Sequence, residues 1–215
     1  MLNIQNLTVR RGDKDVLQDV NFSLAPGDLV ALVGSNGVGK STLAMTVFGH
    51  PSCTIVSGRL SLDDVDLAPL ETHERVKLGL FLAHQEPPVI AGVTVAQILR
   101  ATCEATRQQP YSTAEFYAKL RQGTARLGLA DEFVDRNFNE AFSGGEKKRT
   151  ELLALLLVNP KYAVLDEIDS GMDVVARAMT KAILTEMRSA GTGFLVISHN
   201  EDLIEELRPT QTISL

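Results

Sequence analysis

The stretch "LVALVGSNGVGKST", residues 29–42, decides the fold. Residues 29–33 form an uninterrupted apolar run, as expected of a strand covered on both faces in a parallel sheet. Gly34, Gly39, Lys40 and Ser41 then stand at the G-x-x-x-x-G-K-[ST] spacing, and the residues beyond predict a helix over 41–49. A glycine-rich turn between strand and helix lets backbone N–H groups curl around a triphosphate, and the helix start adds its positive end. Lys40 is placed to reach the β- and γ-phosphates and Ser41 to bind Mg²⁺. The candidate nucleotide-binding residues are therefore Gly34, Ser35, Asn36, Gly37, Val38, Gly39, Lys40, Ser41 and Thr42.

Two further apolar runs, "YAVLDE" and "GFLVISH", have the character of buried parallel strands and deliver polar residues at their ends. Open α/β sheets bind ligands at the carboxyl edge of the strands. Asp166 is accordingly assigned to Mg²⁺, Glu167 to the attacking water and His199 to the γ-phosphate. Each has a plainer alternative, a polar strand end or an ordinary loop histidine. Gln85, at the end of the apolar run in "FLAHQEPP", carries an amide suited to Mg²⁺ and to sensing the γ-phosphate.

Outward from these strands, "LNIQNLTV", "VLQDVNFSL" and "GRLSLDD" alternate apolar and polar residues and predict short antiparallel strands. Residues 173–190 predict a helix with Asp173 as its N-cap and Gly191 at its end. Between Glu86 and Phe142 the strand signal fades, and Ser112 with Glu115 opens a helix by a capping box. The expected organisation is a core of residues 1–85 and 150–215 with a helical subdomain over 86–149. At 215 residues, one globular unit with an inserted subdomain is the default.

Composition narrows the class. With 44% hydrophobic and 22% charged residues the chain reads as a folded protein, and a net charge of −6 argues against nucleic acid as partner. The longest apolar run, near residues 152–158, is far short of the roughly 20 a membrane-spanning helix needs. No secretory signal is visible at the N-terminus, so a cytoplasmic location without direct membrane insertion is expected. Cys53 and Cys103 match no metal-ligand spacing and are expected to be buried apolar thiols.

"AFSGGEKKRTELLALLLVNP", residues 141–160, poses a separate question. Ser143 and Glu146 fit a capping box, which leaves Gly144 and Gly145 unexplained. Glycine costs a helix about 1 kcal/mol relative to alanine, so two in one turn imply close approach of something to the backbone. Lys147, Lys148 and Arg149 follow as a charge run, expected to be a solvated face, with the ordering of an interface as the alternative.

In order along the chain, "GSNGVGKST", Gln85, "FSGGEKKR", "VLDEIDSGMD" and His199 resemble the ATP-binding cassette (ABC) ATPases. The resemblance implies a mostly parallel P-loop NTPase core sheet, an antiparallel β subdomain and an inserted α-helical subdomain. It implies hydrolysis of ATP with Mg²⁺, held through Ser41, Asp166 and Gln85, and catalysis through Lys40, Gln85, Glu167 and His199. It further implies that Ser143, Gly144, Gly145 and Glu146 act on ATP bound by a second copy, in an ATP-dependent head-to-tail homodimer whose seam includes Ser170 to Asp173. "FSGGEKKR", "LDEIDSGMD", "GHPSCTIVSGRLSLD" and "QEPPVIAGVTV" look closest to the SufC-type ATPases of iron-sulfur cluster assembly, whose partners would be SufB- and SufD-like scaffold proteins. The ATPase subunit of a membrane transporter is the alternative. The aromatic residue that usually stacks on adenine is missing, and Arg10 or Arg11 is its candidate replacement.

Overall fold

The computed structural model describes residues 1–84, 88–107, 109–169 and 171–215. Among the described residues the strands are β1 (Leu2–Arg11), β2 (Lys14–Leu24), β3 (Leu29–Val33), β4 (Cys53–Leu62), β5 (Val65–Asp66), β6 (Leu80–Ala83), β7 (Ile90–Thr94), β8 (Asn137–Phe138), β9 (Tyr162–Asp166), β10 (Gly193–Ile197) and β11 (Gln211–Ser214). Its α-helices are α1 (Lys40–Val47), α2 (Thr72–Lys77), α3 (Val95–Thr106), α4 (Thr113–Arg126), α5 (Gly144–Val158), α6 (Val174–Ser189) and α7 (Glu201–Leu207).

Why the runs in β3, β9 and β10 are apolar at every position is plain from their two faces. Val30, Val164 and Leu195 enter one core, and Leu29, Leu165 and Val196 the other. Successive side chains point to opposite faces of a sheet, so a strand between two cores needs apolar residues throughout. These strands belong to a five-stranded parallel sheet in the order β11-β3-β10-β9-β6. On one face lie α1 and a four-stranded antiparallel sheet, β2-β1-β4-β5, whose Leu2, Ile4, Leu60 and Leu62 close the first core. The second core holds Leu99 of α3, Phe116 of α4, Leu153 and Leu155 of α5, and Ile183 of α6. Each such side chain contributes about 1.5–3 kcal/mol on burial.

The sequence expectations for the parallel and antiparallel strands agree with this sheet order, and Asp173 does cap α6 through Ala176 N–H at 2.7 Å. Several differ. The helix after the phosphate loop starts at Lys40 and ends by Val47. Residues 86–142 carry a two-stranded antiparallel ribbon, β7 with β8, where only helices were expected. It pairs at few positions, and β7 is mostly exposed, so it has no alternation to read. Helix α2, opened by Glu71 and Glu74, and helix α7, capped by Asn200, are short and were not anticipated. Cys103 is buried, its thiol pushed up to about 11 by burial, but Cys53 is only partly covered.

Candidate nucleotide site

Four strands of the parallel sheet end on one edge. Ile197 lies opposite Leu32 of β3 and Asp166 of β9, and Ala83 of β6 opposite Leu165. The phosphate loop, His199, Asp166 with Glu167, and His84 therefore leave the sheet side by side. A cleft of about 670 Å³ opens there, lined by Asn36, Gly37, Gly39, Lys40, Ser41, Thr42, Glu167 and His199, with Arg11, Val16 and Met45. A groove of about 770 Å³ between α6 and α7 is larger, but contains none of the motif residues. Chemistry, not volume, locates the site.

Within the loop, Lys40 is buried and its Nζ donates to the carbonyls of Gly34 at 2.7 Å and Ser35 at 2.9 Å. Gly39 has φ +120°, and a Cβ there would come within 2.6 Å of Leu17 Cδ2. Only glycine fits without rearrangement. Behind the loop, burial pushes the Asp166 carboxyl above its ordinary range, against a lowering hydrogen bond with Ser41. Among the described residues, Asp166 Oδ1 is buried with no hydrogen-bond partner. An orphaned, desolvated carboxylate oxygen beside a serine hydroxyl is a donor set that fits a hard divalent cation such as Mg²⁺.

Glu167 adopts φ +52°, the left-handed region that non-glycine residues rarely occupy. Its N–H is fixed to the Ile197 carbonyl at 2.8 Å, and its Oε1 lies 3.0 Å from His199 Nε2. Such a conformation persists where surrounding contacts over-determine it, and it concentrates at functional sites. The sequence gives no sign of this turn. Gln85, the remaining metal and catalytic candidate, and Ser170 lie outside the described residues.

Ser143, Gly144, Gly145 and Glu146 do not line this cleft. Ser143 caps α5: its Oγ accepts from Glu146 N–H at 3.2 Å, and its N–H donates to Glu146 Oε2 at 2.8 Å. Arg136 donates to Glu146 Oε1 at 2.5 Å. The Ser143 N–H, then Arg136, hold the Glu146 carboxyl below the usual range. A depressed native value means this stabilisation is present at neutral pH and lost as pH falls through the native pKa. Ser143→Ala should cost about 1 kcal/mol, read as a lower denaturation midpoint in urea. A Cβ on Gly144 or Gly145 would meet nothing within 4 Å among the described residues, so their packing does not require either glycine.

The charge run differs from expectation. Lys148 is buried and Lys147 and Arg149 are partly buried, so it is not a solvated face. The available signal was Glu151, one turn on, which pairs with Lys148 at 3.2 Å. Arg10 and Arg11 also separate: Arg10 Nε is bound to Asp15 at 2.7 Å, whereas Arg11 lines the cleft.

This sheet, with a glycine-rich loop leading into α1 and acidic residues closing β9, defines a P-loop nucleotide-binding protein of the cassette type. Residues 17–170 match the family model described as "ABC transporter". A probable ABC transporter ATP-binding protein of Streptococcus pyogenes serotype M18 is 42% identical over 211 residues, covering 97% of this chain and 82% of the relative. Among solved structures, an ATP-binding subunit of an ABC transporter superposes with TM-score 0.88 at 24% identity, over 100% of this chain and 85% of the other. The ATP-binding cassette MJ0796, in a dimeric post-hydrolysis state bound to ADP and Pi, gives 0.86 at 19% identity, over 100% and 94%. The chain belongs to the ABC transporter ATPase family, whose members use ATP with Mg²⁺. It is an ATPase of that family.

Proposed function

We propose that this chain is the ATP-hydrolysing subunit of a membrane transporter, located in the cytoplasm, and that it works as a head-to-tail pair closed by ATP. The observation that carries the pairing is the separation of two half-sites. The cleft holds Lys40, Ser41, Glu167 and His199, while the bare first turn of α5 stands elsewhere with open space over Gly144 and Gly145. Helix-start amides bind phosphate, and a second copy would bring them to it. No helix of the described residues is long and apolar enough to cross a membrane. The family match and the name of the Streptococcus relative support a transporter chain as this chain's partner.

In the cleft, residues 34–42 wrap the phosphates with backbone N–H groups, and Lys40 transfers its ammonium from the loop carbonyls to the β- and γ-phosphates. Ser41 and Asp166 would hold Mg²⁺, with Gln85 as a further ligand, and the ion would offset charge on the phosphate oxygens. Glu167 orients the attacking water and accepts its proton. His199, 3.0 Å from that carboxylate, aims it and contacts the γ-phosphate. Ser143 and the amides of Gly144 and Gly145 complete the partner's site, Glu146 serving chiefly to hold their turn in shape.

Val16 and Arg11 line the cleft, and the Arg11 guanidinium would cover the face of the base. Arg11→Ala should weaken ATP binding about fivefold, the size of a cation–π contact, while leaving inorganic tripolyphosphate binding unchanged; calorimetric titration reads both.

A second proposal is the SufC-type role, driving a SufB- and SufD-like scaffold. The specific observation in its favour is the wording of "FSGGEKKR", "LDEIDSGMD" and "QEPPVIAGVTV". Co-purification from native lysate separates the two: recovery with a membrane chain supports the transporter, and recovery with soluble scaffold proteins in its place overturns it.

A further inference from the structure

Arg136 reaches both flanks of the turn that opens α5. Its guanidinium lies 4.5 Å from the centre of the ring of Phe142, the residue before Ser143, and 5.3 Å from that of Phe133, the two rings being 4.8 Å apart. On the other flank its Nη1 donates to Oε1 of Glu146, the residue after Gly145. The Arg136 carbonyl in turn accepts from Val95 N–H at 3.0 Å, at the start of α3. Packing holds the side chain on one side and an ion pair on the other.

Stability does not explain this ion pair. The two side chains are 41% and 29% exposed, and a pair so placed adds little to folding. Nor does the helix start need a carboxylate, since a capping box takes glutamine at its third helical position as well as glutamate. What glutamate brings in addition is a negative charge. Glu146 Oε2 accepts from Ser143 N–H at 2.8 Å and from Ser143 Oγ at 2.9 Å, so that charge lies against the residue that opens the turn. Left unbalanced, it would oppose an incoming phosphate.

We infer that Arg136 is a positioning residue for the ATP held by the second copy: its guanidinium cancels the Glu146 charge, so that Ser143 and the amides of Gly144 and Gly145 meet the γ-phosphate from a neutral turn. This rests on the head-to-tail reading above and adds to it an electrostatic condition that the capping geometry alone does not impose. Phe133 and Phe142 keep the guanidinium in place, because an arginine over an aromatic face is attracted to it.

The test is a mutant cycle on the full chain. Arg136→Met keeps an apolar stem on the two rings and drops the charge. Turnover at saturating ATP should fall about 10- to 100-fold, the cost of a like charge beside the transferred phosphate. Adding Glu146→Gln, which caps as glutamate does but carries no charge, should bring turnover back to within about threefold of wild type. Arg136→Met with wild-type turnover overturns the inference. So does a loss that Glu146→Gln does not recover, because Arg136 would then act through packing alone.

Should Arg136→Met not fold, Arg136→Gln, whose neutral amide can still donate to Glu146, takes its place with the same two expectations. Gly145→Asp separates this inference from the reading beneath it. If that variant turns over like wild type, the head-to-tail reading fails, whatever Arg136 does. If it is inactive and the Arg136 loss is not recovered, only the charge balance fails.

Discussion

Glu167→Gln is expected to stop turnover while ATP stays bound. The carboxylate ends β9 at φ +52°, its N–H tied to Ile197 and its Oε1 3.0 Å from His199 Nε2. Glutamine preserves the size and can keep a contact with the imidazole, so the loop, Lys40 and Ser41 lose nothing. What it cannot do is accept a proton from water. General-base contributions are about 10²–10⁴-fold, so kcat should fall by that factor with little change in ATP affinity. Single-turnover hydrolysis alongside equilibrium ATP binding checks both. Equal turnover in wild type and variant would remove Glu167 from the role given to it.

Gly145→Asp should produce a loss of similar size by a different route. Nothing lies within 4 Å of the added Cβ, so the fold has room for the side chain. Aspartate in a first helical turn is also favourable, by about 0.3–1 kcal/mol, and replacing a helical glycine removes its propensity cost. The isolated chain should thus be no less stable, and its own cleft should bind ATP normally. A carboxylate would, however, face the partner's γ-phosphate where a bare amide belongs. The backbone amide of residue 145 stays in place, but repulsion between the added carboxylate and the phosphate should cost about as much as a preorganised donor is worth, about 10²–10³-fold. A thermal melt at or above wild type, together with turnover down by at least about 10²-fold, is the expected pair of results.

The phosphate loop was legible because its chemistry is local: Gly34, Gly39, Lys40 and Ser41 stand in one short stretch, at a spacing set by the phosphates they would wrap. The parallel strands were legible for a related reason, since a strand between two cores has no polar positions to confuse the pattern. Glu167's left-handed turn left no trace, because its neighbours over-determine it from another strand, through the Ile197 carbonyl. Lys148 read as surface for the same reason. One of its partners, His84, is 64 positions away and offers only backbone, so the signal of its burial in the sequence was Glu151 on the same helix. The β7–β8 ribbon joins Ile90 to Phe138, a short pairing between distant exposed segments. Local rules thus picked out the loop residues, Glu167 and His199 that line the cleft, and missed the long-range contacts that hold Glu167 and His84.

The most direct test mixes two inactive variants. Lys40→Ala empties its own cleft but presents a sound α5 start, and Gly145→Asp does the reverse. Random pairing makes about half the dimers mixed, each with one complete site of two, so an equimolar mixture should recover about a quarter of wild-type turnover. A mixture no more active than the separate variants would contradict the claim that each ATP is enclosed by two copies of this chain.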